Sequence, residues 1–381
     1  MTTSPDAGRP LRVLHVHSGN LFGGVERILE TLACRAQPGL MRSEFALCFT
    51  GRLSRTLEAC GADVVSLGSV RISRPWQMLR ARKALAEALA ATPPDLAVVH
   101  SAWSHWIFGS TIRRFSPLVR WLHAAETGQS WQERAAGRQP PSLVICNSHY
   151  TCQASEGRYR GVPRQVWYAP VAIAPTAPDS RTSIRRELDT PDTARVIVIA
   201  ARLEPLKGHR TLIDALSQLD AALPWRCWIA GGAQRPAESS YLTELQHDVD
   251  RAGLAGRVQF LGERSDVTTM LAAADVYCQP NDGPDAYGLS FIEAMAAGLP
   301  IVSTRLGAAG EVVDASCGLL VAAHAPQDVA AALRTLLTDE SRRVAMAKAA
   351  RLRALSFSDV DGAMVALAGT LATARRTSIR T

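Results

Sequence analysis

Residues 280–300 read Pro280-Asn-Asp-Gly-Pro-Asp285-Ala-Tyr-Gly288-Leu-Ser-Phe-Ile-Glu293-Ala-Met-Ala-Ala-Gly298-Leu-Pro300. This stretch decides the fold, because it has the form of a glycine-rich loop after a strand, a helix that begins near Gly288, and a Gly-Leu-Pro stop before the next strand. Backbone amides at such a helix start favour an oxygen-rich anionic ligand. Asp285 and Glu293 enclose the loop and the first helical turn, so both carboxylates are expected to face one ligand. Taken alone, a helix-start carboxylate and a partly buried helix residue are the commoner explanation.

A second loop of the same kind occurs earlier in the chain. Residues 200–209 read Ala-Ala-Arg202-Leu-Glu-Pro-Leu-Lys207-Gly208-His, after one strand-like run and before a helical one. Arg202 and Lys207 bring two cations to the carboxyl end of a strand, where they suit a pyrophosphate. A lone Arg and Lys in a loop are usually only solvated. Two matching loops in one domain favour a site for a phosphorylated ligand.

Alternation of strands and helices organises the whole chain. Strand-like runs at 11–17, 44–49, 63–66, 96–100, 119–123 and 143–147 alternate with helical patterns at 25–36, 53–60, 75–91 and 104–114. A second series has strands at 196–200, 225–230, 258–261, 276–279, 301–303 and 319–321, and residues 326–374 are helical in pattern with a break near Ser356. Residues 169–193, rich in Pro, Ala, Asp, Ser and Thr, are expected to form an interdomain linker.

This pattern predicts an α/β protein of two Rossmann-like doubly wound domains that face a central cleft, where such domains bind ligands. The expected boundaries are 1–172 for an N-terminal acceptor-side domain, 173–355 for a C-terminal donor domain, and 356–381 for a C-terminal helix and tail that packs back on the first domain. A chain of 381 residues is of the length that two such domains need.

Composition favours a cytoplasmic enzyme. Hydrophobic residues make up 47% and charged residues 20% of the chain, and neither a signal peptide nor an apolar stretch of membrane-spanning length is recognisable. The cysteines lack metal-ligand spacing, and we interpret all eight as reduced core residues, numbered 34, 48, 60, 146, 152, 227, 278 and 317.

Positive charge is concentrated in the first half. Residues 1–180 hold 20 Lys and Arg against 12 Asp and Glu, a net of +8, whereas residues 181–381 hold 22 against 23, a net of −1. An acidic partner there is one explanation, and ordinary solubilising charge is an equal one. Nucleic-acid binding rests on this charge alone and lacks an aromatic-basic motif, so no nucleic acid is expected.

The helix over 75–91 offers a possible site for the acidic partner. Residues 74–85 read Arg-Pro-Trp-Gln-Met-Leu-Arg-Ala-Arg-Lys-Ala-Leu, which suits a basic amphipathic helix on an anionic membrane and hence a peripheral position on its cytoplasmic face. The simpler expectation is a solvated helix that packs Met78, Leu79 and Leu85 inward.

The chain resembles glycosyltransferase family 4, the large group of retaining enzymes with the two-domain GT-B fold. The resemblance covers nearly the whole length and includes Arg202 with Lys207-Gly208 and the Asp285-to-Glu293 segment. Its other segments are Gly23-Gly24-Val-Glu-Arg27, Asn147-Ser148, Gly231-Gly232, Phe260-Leu-Gly262 and Ala274-Asp275-Val. These motifs concern the fold and the donor, and they say little about the acceptor.

The resemblance implies a role for each site residue. Arg202 and Lys207 would hold the diphosphate of a nucleotide-sugar donor, and Glu293 would bind the ribose hydroxyls. Asp285 with the backbone amides of Gly288 and Leu289 would hold the donor sugar. In the first domain, Gly23 and Gly24 would let the backbone approach phosphates or acceptor, and His123 would lie near the transferred sugar.

The resemblance implies transfer of a hexose to a hydroxyl of a glycan, of a lipid-linked acceptor or of a small molecule, as in polysaccharide biosynthesis. No metal or other cofactor is expected, because the two cations could replace a divalent ion and would stabilise the leaving diphosphate. Two departures from the family pattern, Asp285 in place of the usual Glu and the Leu306–Glu311 segment, leave a non-catalytic donor-binding homologue open. A nucleotide-sugar epimerase or phosphorylase is the other alternative, because it would share the fold and the anion sites.

Overall fold

A computed structural model describes residues 9–19, 23–173, 177 and 179–379. The chain divides into two compact units, one of Met1–Ala169 with Val360–Thr381 and the other of Pro170–Asp359. The division thus falls at 169/170 and 359/360, against expected boundaries at 172/173 and 355/356. The undescribed positions include parts of three predicted segments, namely the loop at 18–24, the linker at 169–193 and the tail at 356–381.

Unit 1 is a parallel sheet of seven strands in the order β3-β2-β1-β4-β5-β6-β7. Its strands are β1 (Leu11–His17), β2 (Met41–Leu47), β3 (Asp63–Ser66), β4 (Leu96–Val99), β5 (Leu118–Leu122), β6 (Leu143–Cys146) and β7 (Arg164–Val166). Its helices are α1 (Gly24–Cys34), α2 (Arg52–Ala59), α3 (Pro75–Ala91), α4 (Ala102–Ile112), α5 (Trp131–Ala136), α6 (His149–Ala154) and α15 (Val360–Ile379). The short edge strand β7 was not predicted. The C-terminal helix α15 packs on this unit as predicted, and Ala363 accepts a hydrogen bond from Trp167 Nε1 at 2.9 Å.

Unit 2 is a parallel sheet of six strands in the order β10-β9-β8-β11-β12-β13. Its strands are β8 (Arg195–Ala200), β9 (Trp225–Ala230), β10 (Val258–Gly262), β11 (Val276–Gln279), β12 (Ile301–Thr304) and β13 (Gly318–Val321). Its α-helices are α7 (Ser180–Glu187), α8 (His209–Leu216), α9 (Pro236–Arg251), α10 (Val267–Ala273), α11 (Leu289–Ala296), α12 (Ala309–Val312), α13 (Pro326–Thr338) and α14 (Glu340–Leu355). The prediction of two Rossmann-like parallel sheets is therefore confirmed.

Apolar strands explain why both sheets form. Val196 to Ile199 are fully buried, as expected of a strand covered by helices on both faces. In unit 2 the buried residues of β8, β9 and β11 pack with those of α8, α9 and α13 in one core. This arrangement leaves the loops after β8 and β11, which are neighbouring strands, at the same edge of the sheet.

Helix α7 lies within residues 169–193, which were expected to form an interdomain linker, and most of that range belongs to unit 2. Its sequence has little apolar periodicity, and the helix is fixed instead by polar tertiary contacts. Arg185 Nη2 lies 2.7 Å from Asp275 Oδ2 and Arg181 Nη2 lies 2.9 Å from Asp275 Oδ1. Such contacts between distant residues leave no mark on the hydrophobic pattern.

The cysteine prediction is wrong for one pair. Cys34, at the end of α1, and Cys60, just after α2, form a disulfide with a Cα–Cα distance of 5.0 Å. The contact between α1 and α2 brings the two thiols together, whereas their spacing of 26 residues carries no signal. The other six cysteines are free, and five of them are buried.

Helix α3 begins and ends where predicted, but it does not pack all of its apolar residues inward. Leu85 is buried and Met78 packs against the core. By contrast, Leu79 is 66% exposed and Trp76 is 57% exposed. The expectation that Leu79 points inward is therefore wrong.

Among the described residues no single helix is long and apolar enough to cross a membrane. Helices α14 and α15 taken together, as a bent pair, have the length and apolar composition that a span needs.

Candidate active site

The strongest constellation lies where two loops of unit 2 meet. Lys207 ends a 3-10 turn, Pro205–Lys207, between β8 and α8, and Asp285 lies in the loop between β11 and α11. Lys207 Nζ is 2.7 Å from Asp285 Oδ2, and the two side chains are 17% and 14% exposed. The structure thus brings together one predicted cation and one predicted carboxylate at the carboxyl edge of the sheet, where doubly wound domains bind ligands.

Backbone contacts hold the two loops against each other. The carbonyl of Leu206 accepts hydrogen bonds from the N–H groups of Asp282 and Gly283 at 3.0 and 3.2 Å. Gly208 has a φ of +74°, and a Cβ there would lie 1.8 Å from the carbonyl oxygen of Pro280. Only glycine permits this approach without a shift of the backbone. Gly208 therefore allows the loop that carries Lys207 to lie against the loop that carries Asp285.

Asp285 is also fixed from its other side. Its carbonyl accepts a hydrogen bond from the Ala308 N–H at 2.8 Å, and Gln279 Nε2 lies 3.4 Å from its Oδ2. Gln279 is fully buried and receives hydrogen bonds on Oε1 from Tyr277 at 2.8 Å and from Ser290 at 3.1 Å. Gln279 was not predicted, although its place as the last residue of a strand before the Asp285 loop was a usable signal.

The helix that follows places the other predicted donor-side groups. Gly288 adopts a left-handed φ of +89° as the N-cap of α11, which begins at Leu289. Glu293 lies one turn further on, and its side chain is half-buried. The first turn of a helix leaves backbone N–H groups without intrahelical acceptors and carries a partial positive charge. Gly288 and Leu289 thus open a turn suited to oxygen ligands.

Arg202 takes a different partner from Lys207. Its Nη1 lies 2.8 Å from Glu204 Oε1, and its side chain is 36% exposed. Both residues belong to the loop after β8, so Arg202 is placed in the predicted segment but in a local ion pair. An exposed pair of this kind contributes little to stability, so exchanging Glu204 for another anion has a low cost.

In unit 1 the glycine motif is organised by a glutamate that was not predicted. Gly23 is the N-cap of α1, and Gly24 is its first residue. Glu26 accepts a hydrogen bond on Oε2 from the Gly23 N–H and lies 2.9 Å on Oε1 from Nε2 of His17, the last residue of β1. The signal for Glu26 was present, because a carboxylate three residues after an N-cap is the capping-box position.

His123 follows β5 directly and stands at the end of a row of imidazoles. Its Nε2 lies 2.9 Å from Nδ1 of His100, and Nε2 of His100 lies 3.0 Å from Nδ1 of His15. Burial, together with the charge of Arg120, holds the pKa of His123 well below its usual value. Burial and the neighbouring His123 do the same for His100, so both imidazoles are neutral.

No group of three or more His, Cys, Asp and Glu side chains suited to a metal ion occurs in the described part of the chain. Metal independence stays a prediction.

The structure gathers Lys207, Asp285, Gly288, Leu289 and Glu293 on one edge of the second sheet with Arg202 in the adjoining loop. His123, Gly23 and Gly24 belong to unit 1.

Comparison with known proteins adds the family. Residues 180–353 match the model of glycosyl transferases group 1, and residues 22–174 match that of glycosyltransferase family 4. A D-inositol 3-phosphate glycosyltransferase of Corynebacterium glutamicum is 34% identical over 180 residues, which are 46% of this chain and 42% of that protein. A GDP-mannose-dependent monoacylated alpha-(1-6)-phosphatidylinositol monomannoside mannosyltransferase of the same species is 35% identical over 187 residues, 47% of each chain. The match therefore spans less than half the length of both relatives.

Among solved structures, Anabaena HepE in complex with UDP and glucose is similar over 95% of this chain and 100% of its own, with a TM-score of 0.84 and 26% identity. The two family models together match most of both units, and the model of glycosyl transferases group 1 covers the Lys207 and Asp285 loops. The chain belongs to glycosyltransferase family 4.

Proposed function

We propose that this protein is a retaining glycosyltransferase that moves a hexose-type sugar from a nucleotide-diphosphate sugar to an acceptor hydroxyl without a metal ion. The acceptor would be a glycan, a lipid-linked sugar or a small molecule. The observation that carries the proposal is the Lys207–Asp285 pair at 2.7 Å, because a cation beside a carboxylate matches a donor with a diphosphate on one side and sugar hydroxyls on the other. The complex of HepE with UDP and glucose supports a donor of this class.

Charge development explains what each group contributes. As the anomeric C–O bond breaks, positive charge grows on the sugar and negative charge on the departing diphosphate. Lys207 stabilises the diphosphate, and Arg202 joins it when the diphosphate replaces Glu204 as its partner. Once the donor has bound, cations held in a partly buried site are already in place when the negative charge develops, so no reorganisation is needed during the reaction.

The carboxylates have binding roles rather than the roles of a glycosidase pair. Asp285 accepts hydrogen bonds from donor-sugar hydroxyls, the Gly288 and Leu289 amides hold sugar or phosphate oxygens, and Glu293 accepts from the ribose. Retention would follow from front-side attack, in which an oxygen of the leaving diphosphate takes the proton of the acceptor hydroxyl. His123 would lie near the sugar, while Gly23 and Gly24 would admit phosphates or acceptor to the backbone.

A thermal-shift screen against UDP-, GDP- and ADP-sugars tests the donor site. We expect one donor class, at about a hundred times its Kd, to stabilise the protein by about 2.7 kcal/mol, or a rise in Tm of about 5 °C or more. The shift should be lost in Arg202→Ala and in Glu293→Ala. Glu244→Ala, which removes an exposed carboxylate on α9 that pairs with Arg210, should keep it.

Two outcomes would favour the alternatives. Isomerisation of the stabilising nucleotide-sugar without any acceptor would identify an epimerase on this fold. Donor binding with no turnover across glycan, lipid-linked and small-molecule acceptors would identify a non-catalytic homologue. Absence of any donor-induced shift would contradict the proposed donor site itself.

Peripheral contact with an anionic membrane on its cytoplasmic face is the second part of the proposal. Trp76 and Leu79 are one helical turn apart on α3 and more than half exposed, and Ile72 in the preceding loop is 46% exposed. Basic residues flank them in sequence: Arg71, Arg74, Arg80 and Lys83. Exposed aromatic and aliphatic side chains beside cations favour an interface between lipid headgroups and acyl chains.

Vesicle co-sedimentation tests this contact. We expect the protein to bind vesicles containing a third phosphatidylserine and to lose most of that binding in Trp76→Ser/Leu79→Ser. Arg80→Gln/Lys83→Gln should weaken binding by about fivefold for each charge removed. Val344→Ser/Leu352→Ser on α14, where the side chains are 58% and 60% exposed, is the matched control and should bind normally. Equal binding to neutral vesicles would contradict the electrostatic part.

A further inference from the structure

Three buried imidazoles form an unbranched chain through the centre of the first sheet. His15 lies on β1, His100 follows β4 and His123 follows β5, and these three strands are neighbours in the sheet. The Nδ1 of His15 lies 3.0 Å from Nε2 of His100, and Nδ1 of His100 lies 2.9 Å from Nε2 of His123. His15 is fully buried, His100 is 3% exposed, and His123 as a whole residue is half-buried.

The number of protons on each imidazole determines the direction of the two hydrogen bonds in this row of histidines. A neutral imidazole carries one N–H and one acceptor nitrogen, and burial lowers the pKa of all three histidines, that of His15 to about 3. His100 uses both of its nitrogens, so it donates one hydrogen bond and accepts the other. The two hydrogen bonds therefore run in the same direction, and the tautomer of His15 determines that of His123.

Among the described residues, the polar groups near this row of histidines have hydrogen-bond partners of their own. Arg120 donates to the carbonyls of Val99 and Trp121 and forms an ion pair with Glu126. His17 faces the carboxylate of Glu26 and so carries its proton on Nε2. Phe45 stacks on His15 without a hydrogen bond.

The nitrogens at the two ends of this row of histidines decide the direction of its hydrogen bonds. Within the described residues, Nε2 of His15 and Nδ1 of His123 are both buried and have no hydrogen-bond partner. A buried N–H without an acceptor is a rarer state than a buried acceptor without a donor. The spare N–H therefore belongs at His123, at the carboxyl edge of the sheet, where a ligand that displaces the groups covering Nδ1 can supply an oxygen, and not at His15, which is fully buried inside β1.

We propose that His15 and His100 are positioning residues that hold His123 as the Nδ1–H tautomer, so that His123 donates a hydrogen bond to an oxygen of the bound substrate. The identity of that oxygen, a sugar hydroxyl or a phosphate oxygen of the donor, rests on the proposed function. The tautomer itself does not, because it follows from unit 1 alone.

Imidazole ¹⁵N NMR of the full-length protein without substrate directly tests the tautomers of this row of histidines. The expected result is Nδ1–H for His15, His100 and His123, with His17 and His105 as internal references for Nε2–H. His105 serves this purpose because its Nε2 faces the carbonyl of Gln139 at 2.8 Å. Nε2–H on His123, or a mixture of tautomers, would overturn the proposal whether or not the protein transfers sugar.

Variants separate positioning from packing. His15→Phe removes the first donor and should leave His123 a mixture of tautomers, with kcat about tenfold lower and an unchanged Kd for donor diphosphate. His15→Asn, whose amide nitrogen replaces Nδ1, should restore the tautomer and most of the rate. Phe45→Leu removes buried packing beside His15 and should leave the tautomers unchanged. A similar loss of rate in Phe45→Leu and His15→Phe would reduce His15 to a core residue. Intact Nδ1–H on His123 in His15→Phe would show that His15 does not set the tautomer. An unchanged rate in His15→Phe with mixed tautomers would count against the proposed function and not against the tautomer assignment.

Discussion

Lys207→Ala is expected to lower kcat/KM for the nucleotide-sugar about a hundredfold to a thousandfold, the usual effect of removing one fixed group that stabilises developing negative charge. The loss has two physical causes. The diphosphate loses a cation that is only 17% exposed, and Asp285, whose carboxylate lies 2.7 Å from that cation, is left as an unpaired anion beside the phosphates. Initial rates with the donor found by thermal shift measure the effect.

Two further variants show whether position or charge matters. Arg202→Ala should cost less than Lys207→Ala, because Arg202 is more exposed and already paired with Glu204. Arg210→Ala is the matched control, since Arg210 is an exposed cation on the following helix whose partners are Glu244 and Asp248; its rate should stay within about twofold. Equal losses in all three variants would show that net charge, and not the Lys207 position, supports the reaction.

A double variant tests the pairing itself. Asp285→Asn in the Lys207→Ala background removes the uncompensated carboxylate and should recover part of the donor affinity, although the contact with sugar hydroxyls is weakened. A coupling energy of about 0.5–3 kcal/mol between the two changes is expected for side chains in direct contact. Strictly additive effects would mean that the ion pair is broken when the donor binds.

The sheets and the donor loops could be predicted because they depend on local pattern. Apolar runs such as residues 196–200 have the character of buried parallel strands, and the carboxyl ends of neighbouring strands meet at one edge. The approach of Lys207 to Asp285 follows once β8 and β11 are adjacent. Gly288 was predictable for a similar reason, because a helix start beside a glycine-rich loop has few alternatives.

The rest depends on contacts between distant residues. The pairing of His15 with His100 needs the strand order β1-β4-β5 and the side-chain rotamers, neither of which is written in local periodicity. Cys34 and Cys60 meet only because α1 and α2 pack together. Helix α7 is held by Asp275 from another part of the chain, so a window of sequence around residue 184 has no means of indicating it.

Gly208→Ala is expected to damage the donor site as severely as loss of the lysine, but through the backbone. A left-handed φ of +74° costs a residue with a Cβ about 1–2 kcal/mol, and the overlap with the Pro280 carbonyl at 1.8 Å adds about 1–3 kcal/mol. Because the overlap is with backbone, relief requires the loops after β8 and β11 to separate. Separation draws Lys207 away from Asp285.

Gly253→Ala isolates the two contributions. Gly253 has a similar φ of +69°, also lies in unit 2, and would place a Cβ in open space, so it incurs only the conformational cost. Melting curves with and without the stabilising donor should show a small loss of Tm for Gly253→Ala with its donor shift intact. Gly208→Ala should show a larger loss of Tm and no donor shift. If the two alanine variants melt alike and both respond to the donor, the close approach of Gly208 to Pro280 is not what builds the site, and the cation at 207 acts from a loop that tolerates displacement.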